Sequence, residues 1–252
     1  MLSTCAPRRE LRTTMLGKIM NIRGKVVLVT GANRGLGKAF VAALLEGGAA
    51  KVYAAARDVS KLSIPGAIAV ELDITNLASV QKAAGQCSDV EILINNAGFM
   101  HTSPLLSEGS VDSLREHFEI NTVGTLLMTR AFAPVLQKQG GGAIVNIVSV
   151  LSWLNIPESG AYSASKAAQW SLTNGLRNEL VGQNTFVMAV HPGYIDTDMA
   201  AGVETAKTSP QDVVKITLNA LLEGQKEVTL DDAGRWVKST LSNVDAAYLS
   251  PL

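Results

Sequence analysis

Lys25-Val26-Val27-Leu28-Val29-Thr30-Gly31-Ala32-Asn33-Arg34-Gly35-Leu36-Gly37 is the stretch whose reading decides the fold. Lys25 to Thr30 is a short, β-branched apolar run, as expected of a strand covered on both faces in a parallel sheet. It passes directly into three glycines spaced Gly-x-x-x-Gly-x-Gly. A helical pattern then runs from about Leu36 to Glu46 and is ended by Gly47-Gly48. Strand, glycine turn and helix in that order give the glycines a chemical meaning. They permit a tight turn and close approach of the backbone to a pyrophosphate, and the helix N-terminus offers unpaired N–H groups to it.

The next strand, Lys51 to Ala56, ends at Arg57-Asp58. About 20 residues past the glycines, an acidic side chain would hold a ribose 2′-hydroxyl, whereas an arginine accommodates a 2′-phosphate. Arg57 stands there and Arg34 lies within the turn, so the pair argues for NADP over NAD. Only a short connection containing Pro65-Gly66 precedes the third strand, Ala67 to Leu72, which leaves room for a helical turn at most. Asp73 follows, and it can cap the next helix or accept from an adenine amine.

A helix near Asn76 to Ala84 leads to a fourth strand, Val90 to Ile94, and then to Asn95-Asn96-Ala97-Gly98. Ser110 to Gln137 reads as one long helix with Asn121 in its middle, a polar amide that needs partners. Ala143 to Val148 and Thr185 to Val190 are the fifth and sixth strands, closed by Ser149 and by His191-Pro192-Gly193. Glu227 to Leu230 is a seventh. Strands alternating with helices predict a doubly wound parallel α/β sheet in a single domain. Ligands of such sheets bind beyond the carboxyl ends of the strands, where Gly31, Arg57, Asp73, Asn95, Ser149 and Pro192 all fall.

Residues 160 to 181 form a further helix, so Tyr162 and Lys166 share a face about 6 Å apart along the axis. A free phenol titrates near ~10, and a nearby cation favours the phenolate. At about 4 Å and an effective dielectric of ~20 the attraction is roughly 4 kcal/mol. That is enough to bring the phenol near neutrality, where it could exchange a proton with a carbonyl or an alcohol.

Bulk properties narrow the possibilities. The 252 residues suit one core, and Lys+Arg balance Asp+Glu at 22 each, which gives no field for nucleic acid or an acidic membrane surface. No apolar run reaches the ~20 residues of a membrane span. Cys5 and Cys87 supply neither a disulfide framework nor metal-ligand spacing, so no metal is expected and a reducing, cytoplasmic setting fits. Residues 1–22 carry four cations and one acid, net +3, without a secretory apolar region. They read as a flexible leader before a domain spanning 23–252, with an organelle transit peptide as the alternative. His101, His117 and His191 show no ligand or triad spacing, and Gly-x-Ser-x-Gly is absent.

Thr30-Gly31-x-x-x-Gly35-x-Gly37, Asn95-Asn96-Ala97-Gly98, Asn121, Ser149, Tyr162-x-x-x-Lys166 and Pro192-Gly193 together resemble the short-chain dehydrogenase/reductase family, over about residues 23 to 230. The resemblance implies a Rossmann-type, three-layer α/β/α fold and reversible hydride transfer between a nicotinamide and an alcohol or carbonyl carbon. It implies Tyr162 as proton donor and acceptor, Ser149 bonded to the substrate oxygen, and Lys166 on the nicotinamide ribose. Asn121 would hold a water linking Lys166 to solvent. Gly31, Gly35 and Gly37 would carry the pyrophosphate, with Asn33, Arg34, Leu36, Arg57, Asp73, Ile74, Asn95, Ala97, Gly98, Pro192, Gly193, Ile195 and Thr197 completing the NADP(H) site. Two features depart from the family: the segment from Gly193 to Pro210 is short, and after Leu230 the chain continues as an acid-started helix, Asp231 to Leu241, and a tail.

Met100, Trp153, Leu154, Tyr194 and Met199 follow strand ends and are candidate walls of an apolar pocket, which suits a small, neutral, fairly hydrophobic ketone or aldehyde. Ala164, Ala167 and Ser171 leave one side of the Tyr162 helix small enough for a second helix to approach, and the resemblance, to a family whose members pair through this helix and the preceding long one, implies a homodimer or homotetramer. The leading expectation is an NADPH-dependent carbonyl reductase. Reduction of a 3-oxoacyl thioester, oxidation of a steroid-like secondary alcohol, and a non-catalytic NADP-binding regulator are the alternatives.

Overall fold

In β1 (Val26–Thr30) the side chains after Val26 are buried on both faces of the sheet. Val27 and Val29 join one apolar cluster and Leu28 the other. The computed structural model describes residues 21–249, so the expected leader over 1–22 lies outside the described residues except for Asn21 and Ile22. The glycine turn delivers the chain into α1 (Gly35–Glu46), and Gly47 ends that helix. β2 (Lys51–Ala56), a single turn at Val59–Lys61 and β3 (Ile68–Glu71) follow, so the short crossover is met by one helical turn. Next come α2 (Leu77–Gln86) and β4 (Ile92–Asn95).

The long helix expected over 110–137 is divided. α3 (Ser110–His117) and α4 (Gly124–Lys138) are joined by a π-helical segment, Phe118–Val123, which carries the buried Asn121. Local widening of this kind re-aims one side chain without ending the helix. β5 (Gly142–Ile147), α5 (Gly160–Leu180), β6 (Thr185–His191), α6 (Pro210–Leu222), β7 (Glu227–Thr229) and α7 (Asp232–Thr240) complete the described fold.

All seven strands are parallel, in the order β3-β2-β1-β4-β5-β6-β7. The order reverses between β1 and β4, the crevice where such sheets bind ligands. α1 and α6 cover one face through Phe40, Val41, Leu44, Val213 and Leu221. α2, α4 and α5 cover the other through Val80, Met128, Phe132, Leu136 and Leu176. Each such side chain contributes about 2 kcal/mol on burial, which makes the sheet a rigid base for the loops at its carboxyl edge. A third, smaller cluster packs Val150 and Trp153 on Val237 and Ala247 at the C-terminal end of the chain.

Candidate active site

The glycine turn is held against the end of β4 by two residues not singled out for a role from sequence. Thr30 Oγ1 accepts from the Asn96 and Ala97 backbone N–H groups at 3.0 and 2.9 Å, and the Asn96 amide donates to Thr30 O at 2.8 Å. Their signal was a polar residue at the last position of one strand and just past the end of its neighbour. Gly31 and Gly35 have left-handed backbone, at φ +65° and +52°. A Cβ on Gly31 would lie 2.9 Å from Ala97 Cα, and one on Gly37 would run into the Gly31 carbonyl. Helices α2, α6 and α7 are capped by the side chains of Asn76, Ser209 and Asp231. α1 starts at Arg34 with no side-chain cap and no acid in its first turn. Its N-terminal N–H groups and the cradle before them therefore suit an anion such as a dinucleotide pyrophosphate.

Beyond the carboxyl ends of β1 and β2, Arg34 and Arg57 are exposed. Arg34 pairs with Asp198 at 3.3 Å, but both side chains are over 70% exposed (72% and 77%), so the pair is weak. Asp73 Oδ1 accepts from Thr75 N and Oγ1 at 3.0 and 2.7 Å, while Asn76 caps α2, so the capping option read for Asp73 falls to Asn76. The Thr75 hydroxyl holds the Asp73 carboxyl below its ordinary value, with a smaller contribution from Arg57. Ile74 is buried beside Gly124, and the segment containing Ile195 and Thr197 crosses over Gly35.

Ser149, Tyr162, Lys166 and Asn121 are all buried at the carboxyl edge. Ser149 Oγ accepts from Leu151 N at 3.1 Å, which leaves its proton free to donate elsewhere. Lys166 Nζ donates to Ile147 O at 2.9 Å and to Gln169 Oε1 at 2.8 Å, and lies 5.7 Å from the centre of the Tyr162 ring. Asn121 donates to Phe99 O and Ser165 Oγ, both at 2.9 Å, and accepts from Phe99 N at 2.8 Å, so it pins the loop after β4 to α5. A Cβ on Gly98 would stand 3.3 Å from Asn121 Oδ1, a tight approach, and 3.7 Å from Lys166 Nζ, an ordinary contact. Asn95 is buried and donates to Asn146 Oδ1 at 2.9 Å.

The titration read from the Tyr162–Lys166 spacing is corrected by this arrangement. Burial pushes the Tyr162 phenol up to about 12, against an opposing hydrogen bond from Ser149. Burial also pushes Lys166 down to about 7. The spacing of the two residues reflects their mutual attraction but not the cost of taking each charge out of water. A phenol in this state stays protonated at neutral pH and can serve as a donor.

Behind Ser149 lies a second polar cluster. His191 Nδ1 is 3.0 Å from Ser149 O, which can only accept, so that nitrogen carries a proton. His191 Nε2 faces Glu227 Oε1 at 3.2 Å, outside hydrogen-bond geometry. Glu227 also accepts from Trp170 Nε1 and Lys238 Nζ, both at 2.7 Å. Burial pushes Glu227 up, but the neighbouring His191 ring and the Lys238 ammonium outweigh it and bring the carboxyl to about 2. Trp153, expected as a pocket wall, stacks on His191 at 3.8 Å between ring centres and is buried against Val237 and Ala247. Residues after a strand can turn either way, and the C-terminal helix claims this one. Of the other wall candidates, Met100, Leu154 and Tyr194 are half-buried and Met199 is exposed. Pro192 O accepts from Val150 N at 2.9 Å, and Gly193 sits against the Asp231 carboxylate.

Among the described residues no group of three or more potential ligands could hold a metal ion, and no helix is long and apolar enough to cross a membrane. A family described as short chain dehydrogenase matches residues 25–208. A short chain dehydrogenase of Aspergillus terreus is 32% identical over 204 residues, 74% of this chain, and the chain spans 44% of that relative's length. An uncharacterized oxidoreductase of Staphylococcus saprophyticus is 31% identical over 220 residues, covering 81% of this chain and 93% of that one. The crystal structure of a short chain dehydrogenase from Burkholderia cenocepacia in complex with NADP is 41% identical, with a TM-score of 0.86 over 89% of this chain and 95% of that one.

Proposed function

Since the chain belongs to the short chain dehydrogenase family, we propose that it is an NADPH-dependent reductase of a small, neutral, fairly apolar ketone or aldehyde. The observation that carries this reading is the burial of Ser149, Tyr162 and Lys166 together beside an uncapped helix start and a glycine cradle. A protein that only bound a nucleotide would have no use for that trio. When bound, the nicotinamide supplies the hydride. Gly31, Gly35, Gly37 and the N-terminus of α1 hold the pyrophosphate, and Arg34 and Arg57 meet the 2′-phosphate. The NADP held by the Burkholderia relative supports that choice.

Tyr162 gives its phenolic proton to the substrate oxygen, and Ser149 donates a hydrogen bond to the same oxygen. Both act in a site that is already desolvated, where such donors count for more than in water. Two of the three Lys166 protons are committed to Ile147 O and Gln169 Oε1, which leaves one for the ribose hydroxyls. A phenol raised by burial is protonated near neutral pH and so holds the proton that reduction consumes, whereas alcohol oxidation needs the phenolate. The protein is further proposed to act as a homodimer or homotetramer through α4 and α5, which a monomer in light scattering would overturn.

The test is a fluorescence titration with NADPH and NADH, followed by a carbonyl screen. Arg57→Asp should weaken NADPH by about tenfold or more through loss of a charge-assisted contact and added repulsion. Tyr162→Phe should keep NADPH binding and lose about 10²- to 10⁴-fold in turnover. Equal affinity for both cofactors would overturn the reading of the arginines, and binding of neither would overturn the oxidoreductase reading.

A further inference from the structure

Lys166 and Asn121 are joined through the protein interior by three consecutive hydrogen bonds. Lys166 Nζ donates to Gln169 Oε1 at 2.8 Å, Gln169 Nε2 donates to Thr125 Oγ1 at 2.9 Å, and Thr125 Oγ1 donates to Asn121 O at 2.9 Å. Every member is at least 96% buried, with Lys166 the most accessible at 4%. The direction of each bond is forced. An ammonium has no acceptor, so the amide must turn its oxygen to Lys166 and its nitrogen to Thr125, and the threonine proton is left for the Asn121 carbonyl. The Gln169 backbone is tied in as well, because its carbonyl accepts from Thr173 Oγ1 at 2.7 Å and Asn146 donates to that hydroxyl at 3.0 Å. An amide does not pass protons along such a chain. What the chain fixes is the place and the charge of the Lys166 ammonium.

We infer that Gln169, oriented by Thr125, is a positioning residue that holds Lys166 in its cationic form and aims its remaining proton at the cofactor crevice. The inference rests on the proposed reductase reading for its catalytic consequence but not for its physical content. Buried ammonium groups lose their charge unless acceptors face them. Here the acceptors are neutral: Ile147 O from β5 and Gln169 Oε1 from α5 itself. The other groups packed around Lys166 are Tyr162 on α5, Asn121 on the π segment, Thr125 on α4 and the loop at Gly98. His117 on α3 lies 6.2 Å from Tyr162 between ring centres. Burial is the cause that moves the lysine, and among the described residues no carboxylate contributes. Among the described residues Gln169 Oε1 is therefore one of two hydrogen-bond acceptors opposing Lys166 deprotonation, and the one that a side chain supplies, with the Tyr162 ring 5.7 Å away.

The position of Lys166 titration reads this directly, without cofactor or substrate. In protein carrying 13C at the lysine ε-carbons, the Lys166 resonance is the one missing from Lys166→Met. Its midpoint should fall by about one unit in Gln169→Met, which keeps the volume and removes the acceptor. It should rise by about one unit or more in Gln169→Glu, which places a carboxylate on the ammonium. Thr125→Val should lower it by less than Gln169→Met does, and Thr125→Ser should restore it. In NADPH-dependent turnover the alkaline limb of kcat/KM should move the same way in each variant. Unchanged midpoints, or a uniform loss in both Gln169 variants without opposite shifts, would overturn the inference. If the midpoints move as stated while no carbonyl is reduced, the positioning role stands and the reductase reading falls. Thr125→Val and Thr125→Ser decide the matter if a Gln169 variant does not fold.

Discussion

Two buried polar clusters meet at Ser149, and they treat charge in opposite ways. On one side Lys166 is surrounded by neutral acceptors, and burial brings it down to about 7. On the other, burial works against Glu227, but His191 and Lys238 answer it and take the carboxyl to about 2. The first arrangement leaves a charge uncompensated where a ligand would meet it. The second cancels its charges and props the Ser149 backbone through His191. A pKa moved by desolvation marks a group left ready to act, whereas one moved by pairing marks a strut.

The sharpest way to break this contrast is Lys166→Met. Turnover should fall about 10³-fold, as for loss of a charge aimed at the reacting site. The folded protein should nevertheless gain stability, by about 2 kcal/mol or roughly 4–8 °C in Tm at pH 6. The sign follows from the depressed lysine: between about 7 and its unfolded value near 10.5 the unfolded chain binds the extra proton, so parent stability rises with pH across that window. The advantage of the variant should accordingly fade as pH approaches 10.5, which thermal melts at several pH values would follow.

Glu227→Gln should do the reverse. Its carboxylate contributes stability that is fully present above about 4.5 and is lost as pH falls through about 2. The variant should melt about 4–8 °C lower at pH 7, near 2 kcal/mol, with the deficit closing in acid, and turnover should stay within a fewfold of the parent. A loss of turnover as large as that of Lys166→Met would erase the distinction between the clusters. The smallest effect belongs to Trp170→Phe. It removes one 2.7 Å hydrogen bond to Glu227 and should cost about 1 kcal/mol with no change in the pH dependence of turnover.

Most strands were legible because they are short apolar runs, several rich in β-branched residues, and the glycine turn was legible because its neighbours on both sides had clear periods. The break in the long helix was not. Ile120 and Val123 keep the helical spacing around Asn121, and a π turn adds a residue without disturbing the apolar pattern enough to announce itself. The candidate catalytic residues could be named from their spacing, but their titration could not be, because desolvation depends on what closes over a side chain from distant parts of the chain. The same limit applied to Trp153, whose partners lie about 85 residues further on at Val237, and to Gln169, which sits on the Tyr162 helix as an ordinary buried position until Thr125 is brought to it.

Glu227 draws its partners from β6, α5 and α7, the last at Lys238. Its place has a consequence for a chain that is made from one end to the other. When a ribosome has released residues only as far as α6, Ser149, Tyr162, Lys166 and Gln169 can already be assembled on six strands, but His191 lacks its Glu227 neighbour and Trp153 the helix that covers it. The strut behind Ser149 can close only after Lys238 has emerged. Synthesis therefore completes the support after it has delivered the chemistry, and a nascent chain halted before β7 would hold its reactive groups on an unbraced loop.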